Sequence, residues 1–161
     1  MINRWVKNDI TDVFVKAIEQ HRDQRGFLCE TFRLDELPSG LQPVMSYLSF
    51  TEPMVSRGPH EHFEQTDIFA LVGPGTFLVK LWDNRPHSPT YGSLMELKAG
   101  EERRLLIVIP PGVVHGYKNI SPDRQGMVIN YPNRLYRGPG KKEAVDEIRY
   151  EDDPESPFKF D

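Results

Sequence analysis

Two short segments hold most of the residues that can do chemistry. They are Arg57-Gly58-Pro59-His60-Glu61-His62 and Pro110-Pro111-Gly112-Val113-Val114-His115-Gly116-Tyr117-Lys118-Asn119. Side chains on a strand repeat their direction every two residues, so a strand here puts His60 and His62 on one face. In the second segment a tight Pro-Gly turn immediately precedes His115. Three imidazoles brought to one mouth of a β-structure support two chemistries. One is proton transfer, for which imidazole is the side chain best matched to neutral pH. The other is ligation of a divalent transition metal such as Fe, Mn, Ni or Zn, with Asp67 as the nearest acid at suitable spacing.

The elements that must position these residues are short and apolar. Phe27–Arg33 reads as a strand, with Phe27, Cys29 and Thr31 on one face. From Val44 onward, runs at 44–50, 65–72, 76–82, 91–97, 105–109, 113–119 and 126–131 recur between Gly- and Pro-rich turns. Residues 9–20 alternate like a strand at Val13, Val15 and Ala17, although 13–20 also suits a helix. Leu34–Leu37 suits one helical turn, and 141–148 a short helix. The spacing predicts an all-β sandwich or barrel with small peripheral helices.

The chain has 161 residues, enough for one domain with one core, and no second-domain boundary, repeat or low-complexity segment is visible over 1–161. With 14 prolines and 12 glycines it suits strands and turns better than a helix bundle. The net charge of −4, with no basic run, argues against a nucleic-acid partner. The single cysteine, Cys29, excludes an internal disulfide and reads as a buried structural thiol. Met1–Trp5 lacks an apolar signal core and no stretch approaches the ~20 apolar residues of a membrane span. The expectation is a cytoplasmic protein.

The segment ending in Asn119 is similar to the second cupin motif, Pro-x-Gly-x-x-His-x-x-x-Asn. A wider resemblance covers residues 23–154. Asp23-Gln24-Arg25-Gly26-Phe27-Leu28-Cys29-Glu30, Arg57-Gly58-Pro59-His60, Asp83-Asn84-Arg85-Pro86-His87-Ser88-Pro89-Thr90-Tyr91-Gly92, Ile109-Pro110-Pro111-Gly112-Val113-Val114-His115-Gly116-Tyr117 and Asp152-Asp153-Pro154 stand in order. Together they resemble the dTDP-4-dehydrorhamnose 3,5-epimerase family. The resemblance implies a cupin-type double-stranded β-helix (jelly roll) and an isomerase of 4-keto-6-deoxy sugar nucleotides. It implies no cofactor, a sugar-nucleotide partner and a homodimer built through exchanged N-terminal strands.

It also implies roles. His60 would be the base, paired with Asp153, and Tyr131 the acid, unless the register puts Asn130 in that place. Arg25 and Arg57 would hold phosphate, and Phe27, Glu30, His62, His115 and Tyr117 would contact substrate. Two departures stand out. Counting back from Asp83 puts Ile68 where the family has a lysine that steadies the enolate oxygen, and Met45 and Tyr47 where it has Gln and Asn. A replacement electrophile, a metal or the imidazole of His62, is one consequence; a non-catalytic sugar-nucleotide-binding relative is another. The metal alternative uses His60, His62, Asp67 and His115. Blander readings stand beside these: Asp83 and Arg85 as a structural turn pair, His21 and His87 as surface residues.

Overall fold

The structure, a computed structural model, describes residues 5–160; Met1–Arg4, part of the segment read for a signal core, lie outside it. The strands are β1 (Val6–Lys7), β2 (Phe14–Ala17), β3 (His21–Asp23), β4 (Gly26–Leu28), β5 (Tyr47–Thr51), β6 (Ser56–Glu61), β7 (Asp67–Leu71), β8 (Thr76–Asp83), β9 (Ser93–Gly100), β10 (Leu105–Ile109), β11 (Val113–Asn119), β12 (Gly126–Asn130) and β13 (Ile148–Arg149). One sheet runs β1-β9-β8-β11-β6-β13, the other β2-β10-β7-β12-β5, and β3-β4 is a separate hairpin. All pairings are antiparallel except β1 with β9. This is the jelly-roll arrangement expected from the strand spacing.

The sequence of β10, Leu-Leu-Ile-Val-Ile, is apolar throughout because both of its faces are covered. Leu105, Ile107 and Ile109 point into the barrel with Phe69, Leu71, Phe77, Val79, Leu81 and Val128. Leu106 and Val108 point outward into a second cluster with Ile68, Ala70, Ile18 and Leu37. Trp82, Val114 and Phe158 cover the outer face of the other sheet. Cys29 is half-buried against the second cluster.

Two expectations are corrected. Of the run 27–33 only Phe27 and Leu28 are strand, within β4. Residues 141–148 form no helix; a 3₁₀ turn at Pro139–Lys141 stands there, with Gly138, Gly140 and Lys141 at positive φ. The chain beyond it is tied to β6 and to the loop that follows β6, through the β13 pairing and the Asp146 carboxylate. Leu34–Glu36 is also a 3₁₀ turn, so the peripheral helices are reduced to these two turns among the described residues. Among the described residues no helix is long and apolar enough to cross a membrane.

Asp83 ties off the loop after β8. Its fully buried carboxylate accepts from Arg85 Nε at 2.8 Å, Arg85 Nη2 at 3.0 Å, and Ser88 and Thr90 hydroxyls at 2.6 Å each. Burial opposes the charge, but these donors outweigh it and hold the pKa at about 2. A carboxyl depressed on folding contributes stability that is present above its unfolded value and lost as pH falls through the folded one. Asp83→Asn therefore lowers stability by about 2–4 kcal/mol at neutral pH, measured by urea unfolding, with the difference shrinking toward pH 2.

Candidate functional site

β6 and β11 pair with His60 opposite His115, but the register shifts before Arg57 meets Tyr117. This bulge re-aims the strand at its histidines. Gly58 makes it possible: it has φ +76°, and a Cβ there would lie 2.7 Å from the His115 carbonyl oxygen and 3.0 Å from His60 Nδ1. Beyond the bulge the two-residue period holds. Glu61 turns to the far side and accepts from the Tyr150 hydroxyl at 2.7 Å. His60 and His62 turn inward, their ring centroids 5.5 Å apart; His60 and His115 are 4.5 Å apart.

Asp67, the first residue of β7, reaches these rings from the opposite sheet. Its Oδ2 lies 3.1 Å from His115 Nε2 and 3.3 Å from His62 Nε2, and its Oδ1 accepts from Gln65 Nε2 at 2.8 Å. The far nitrogens are fixed by backbone: His115 Nδ1 donates to the Val113 carbonyl at 2.9 Å, and His62 Nδ1 to the Asp146 carbonyl. Burial works against the Asp67 charge, but the two imidazoles hold its carboxyl well below the usual range. Burial likewise opposes a charged His62, yet Asp67 outweighs it and the ring is pushed up to about 9. His60 goes the other way. Burial, then the neighbouring His115, carries it well below the ordinary value, so its imidazole is neutral at pH 7.

His60 borders two adjoining cavities of about 720 and 360 Å³ that share Tyr47, His60, Glu147 and Arg149. Met45, His62, Phe63, Arg134 and Tyr136 line the larger; Ser49, Arg57, Tyr117 and Asn130 line the smaller. Arg57 is anchored at the entrance by Thr51 and the Phe50 carbonyl, and the Tyr117 hydroxyl meets Ser49 Oγ at 2.7 Å.

Several expected site residues lie elsewhere. Tyr131 faces outward, where its hydroxyl meets Thr31 Oγ1 at 2.8 Å and its ring packs on Phe32 at 4.7 Å. The strand period explains this: Asn130 is the inward residue, and it pairs across strands with Tyr47, donating from Nδ2 to the Tyr47 hydroxyl at 2.9 Å. Tyr47 is thus the phenol in the cavity. Asp153 sits in an exposed turn and accepts from its own neighbour, the Glu155 amide. The carboxylate beside His60 is Glu147, 3.8 Å from Nδ1, carried there by β13 pairing with β6. Ile68 points into the outer apolar cluster, so Asp67 holds the inward place next to it. Arg25, paired with Asp23, Phe27, between Arg22 and Arg104, and Glu30, beside Arg33, lie on or after the β3–β4 hairpin and line neither cavity.

Asp146 had no signal in the sequence. Its carboxylate accepts from the amides of Phe63, Glu64 and Gln65 at 2.8–3.0 Å, which clamps the loop that follows His62. Asp146→Ala is expected to accelerate hydrogen exchange at these three amides by roughly 10-fold, since each loses a charge-assisted acceptor. Unchanged protection there contradicts the clamp.

A jelly roll whose mouth gathers neutral and charged imidazoles with a carboxylate and a phenol defines a class: an enzyme-type barrel equipped for proton transfer. A sequence profile of the dTDP-4-dehydrorhamnose 3,5-epimerase family matches residues 7–152. The probable low-salt glycan biosynthesis epimerase Agl13 of Haloferax volcanii is 41% identical over 129 residues, covering 80% of this chain and 81% of that protein. The spore coat polysaccharide biosynthesis protein SpsL of Bacillus subtilis is 35% identical over 111 residues, covering 68% and 71%. The crystal structure of a dTDP sugar isomerase from Desulfovibrio desulfuricans superposes with a TM-score of 0.79 at 28% identity, covering 93% of this chain and 91% of that one. The chain belongs to the dTDP-4-dehydrorhamnose 3,5-epimerase family, and its function class is epimerisation of a sugar nucleotide.

Proposed function

We propose that the chain inverts one or both carbons beside the C4 ketone of a 4-keto-6-deoxy sugar nucleotide, with His60 as the base. The observation that carries this is the position of His60: a neutral imidazole in the wall common to both cavities, with the Glu147 carboxylate 3.8 Å from Nδ1. A base must have its lone pair free at working pH, and a carboxylate beyond it stabilises the imidazolium that forms. The 3.8 Å separation is too long for a hydrogen bond and suits a contact that tightens when substrate binds.

Tyr47 is the group we assign to return the proton. Burial, then the Asp67 charge, raises its pKa, so it stays a phenol; Asn130 holds its oxygen and leaves its O–H free for the cavity. Arg57 and Arg149 at the rim suit a diphosphate. Arg25, Phe27 and Glu30 would serve a cavity only if a second copy supplied them. The exposed apolar side chains of Phe27, Leu28 and Leu34 suit such a homodimer.

The test is product analysis. Incubated with 4-keto-6-deoxyhexoses carried on dTDP, UDP, GDP or CDP and then reduced, the enzyme is expected to yield an inverted sugar with one nucleotide. Unchanged sugar from all four would favour a relative that binds without catalysing.

A further inference from the structure

The contacts around Asp67 pose a proton-counting problem. The Val113 carbonyl can only accept, so His115 Nδ1 carries a proton and Nε2 is the nitrogen turned toward Asp67. That nitrogen lies 3.1 Å from Asp67 Oδ2, an acceptor. His62 repeats the pattern: Nδ1 is committed to the Asp146 carbonyl and Nε2 lies 3.3 Å from the same Oδ2. The Gln65 amide nitrogen, which carries two N–H donors, lies 3.3 Å from His62 Nε2 and donates at 2.8 Å to Asp67 Oδ1. Two imidazole Nε2 atoms and a carboxylate oxygen thus converge on one buried point. Only positive charge between them makes that favourable: an extra proton on each ring, or one cation.

Geometry favours the cation. Metal–ligand bonds of about 2.0–2.1 Å make the edge of a tetrahedron roughly 3.3 Å. The Asp67–His115 and Asp67–His62 separations, 3.1 and 3.3 Å, are of that size, and the donor atoms of His60, His62, Asp67 and His115 all lie within 4.8 Å of one another. The outer partners are those of metal ligands, with each Nδ1–H tied to a backbone carbonyl and the second carboxylate oxygen held by an amide. His60 differs, because its Nδ1 faces Glu147 and not a carbonyl.

We propose that His62, Asp67 and His115 hold one divalent transition-metal ion, leaving an open position toward the cavity and His60 outside the set. The role of the ion, polarising the ketone oxygen as a Lewis acid, rests on the functional reading above; its binding does not. Two imidazoles and a carboxylate suit Zn²⁺ and, with added water, Fe²⁺, Mn²⁺ or Ni²⁺.

The experiment is a titration of tag-free protein, stripped with chelator, with Co²⁺ and Zn²⁺ alone. Calorimetry should find one equivalent per chain, and Co²⁺ should develop visible ligand-field bands that Zn²⁺ abolishes. Zn²⁺ at a hundredfold excess over Kd should raise Tm by about 5–10 °C. Asp67→Asn and His115→Gln should weaken binding by more than about 100-fold, while His60→Ala and the surface variant His21→Ala keep it. Folded wild-type protein that takes up neither ion overturns the proposal, whatever the variants do. Binding that survives Asp67→Asn and His115→Gln overturns it equally. Uptake without epimerase activity would leave the site standing and remove the functional reading; activity without uptake would do the reverse.

Discussion

His60→Ala is expected to slow epimerisation by about 10²–10⁴-fold, the range for loss of a positioned general base, while leaving the fold intact. The fold should survive because His60 packs its ring at the barrel mouth and not in the apolar interior, which is built from Phe69, Leu71, Phe77, Val79 and Leu81. Far-ultraviolet circular dichroism and the urea midpoint check that condition. Glu147→Gln should show a smaller loss, because it acts through His60 and the 3.8 Å contact is not a full hydrogen bond in the free enzyme. Asp153→Asn should change the rate little, its carboxylate being spent on an exposed turn. A near-normal rate in His60→Ala would remove the base assignment; an Asp153→Asn loss as large as that of Glu147→Gln would restore the pairing first expected from the sequence.

The second large effect belongs to Tyr47. Tyr47→Phe keeps the ring and removes only the hydroxyl that Asn130 holds at 2.9 Å. If this phenol returns the proton to the opposite face, the variant loses inversion by about 10²–10⁴-fold while still exchanging the substrate proton with solvent through His60. Tyr131→Phe makes the contrast. It loses one hydrogen bond to Thr31 on the outer face, costing about 1 kcal/mol of stability and leaving the rate unaffected. The opposite result, a silent Tyr47→Phe and a damaging Tyr131→Phe, would return the acid to Tyr131.

These two residues show what the sequence could and could not disclose. Leu105–Ile109 and Val113–Asn119 were legible as strands to the residue because the apolar runs are bounded by Gly and Pro turns. The convergence of His60 and His115 was legible from motif spacing, since both lie on adjacent strands that start from tight turns. Facing was harder. A one-residue change in where a strand begins reverses every side chain, which is why Tyr131 and Asn130, or Ile68 and Asp67, could not be separated by counting. Glu147 was invisible for a different reason. It is near His60 only because a two-residue strand, β13, pairs with β6 from almost ninety residues away. The absent helix at 141–148 has the same origin: helical propensity there yields to the cross-chain bonds of Asp146 and the positive-φ turn at 138–141.

The most direct test of the central claim is proton exchange with solvent. Wild-type enzyme and His60→Ala are incubated in D₂O with the 4-keto-6-deoxy sugar nucleotide that gives product, and deuterium is read by NMR at the carbons on either side of the ketone. Exchange reports proton removal even when the inverted sugar does not accumulate. The account predicts deuterium at one or both of these carbons with wild-type protein and about 10²–10⁴-fold slower uptake with His60→Ala. No deuterium with wild-type enzyme, or equal uptake by both proteins, would contradict it.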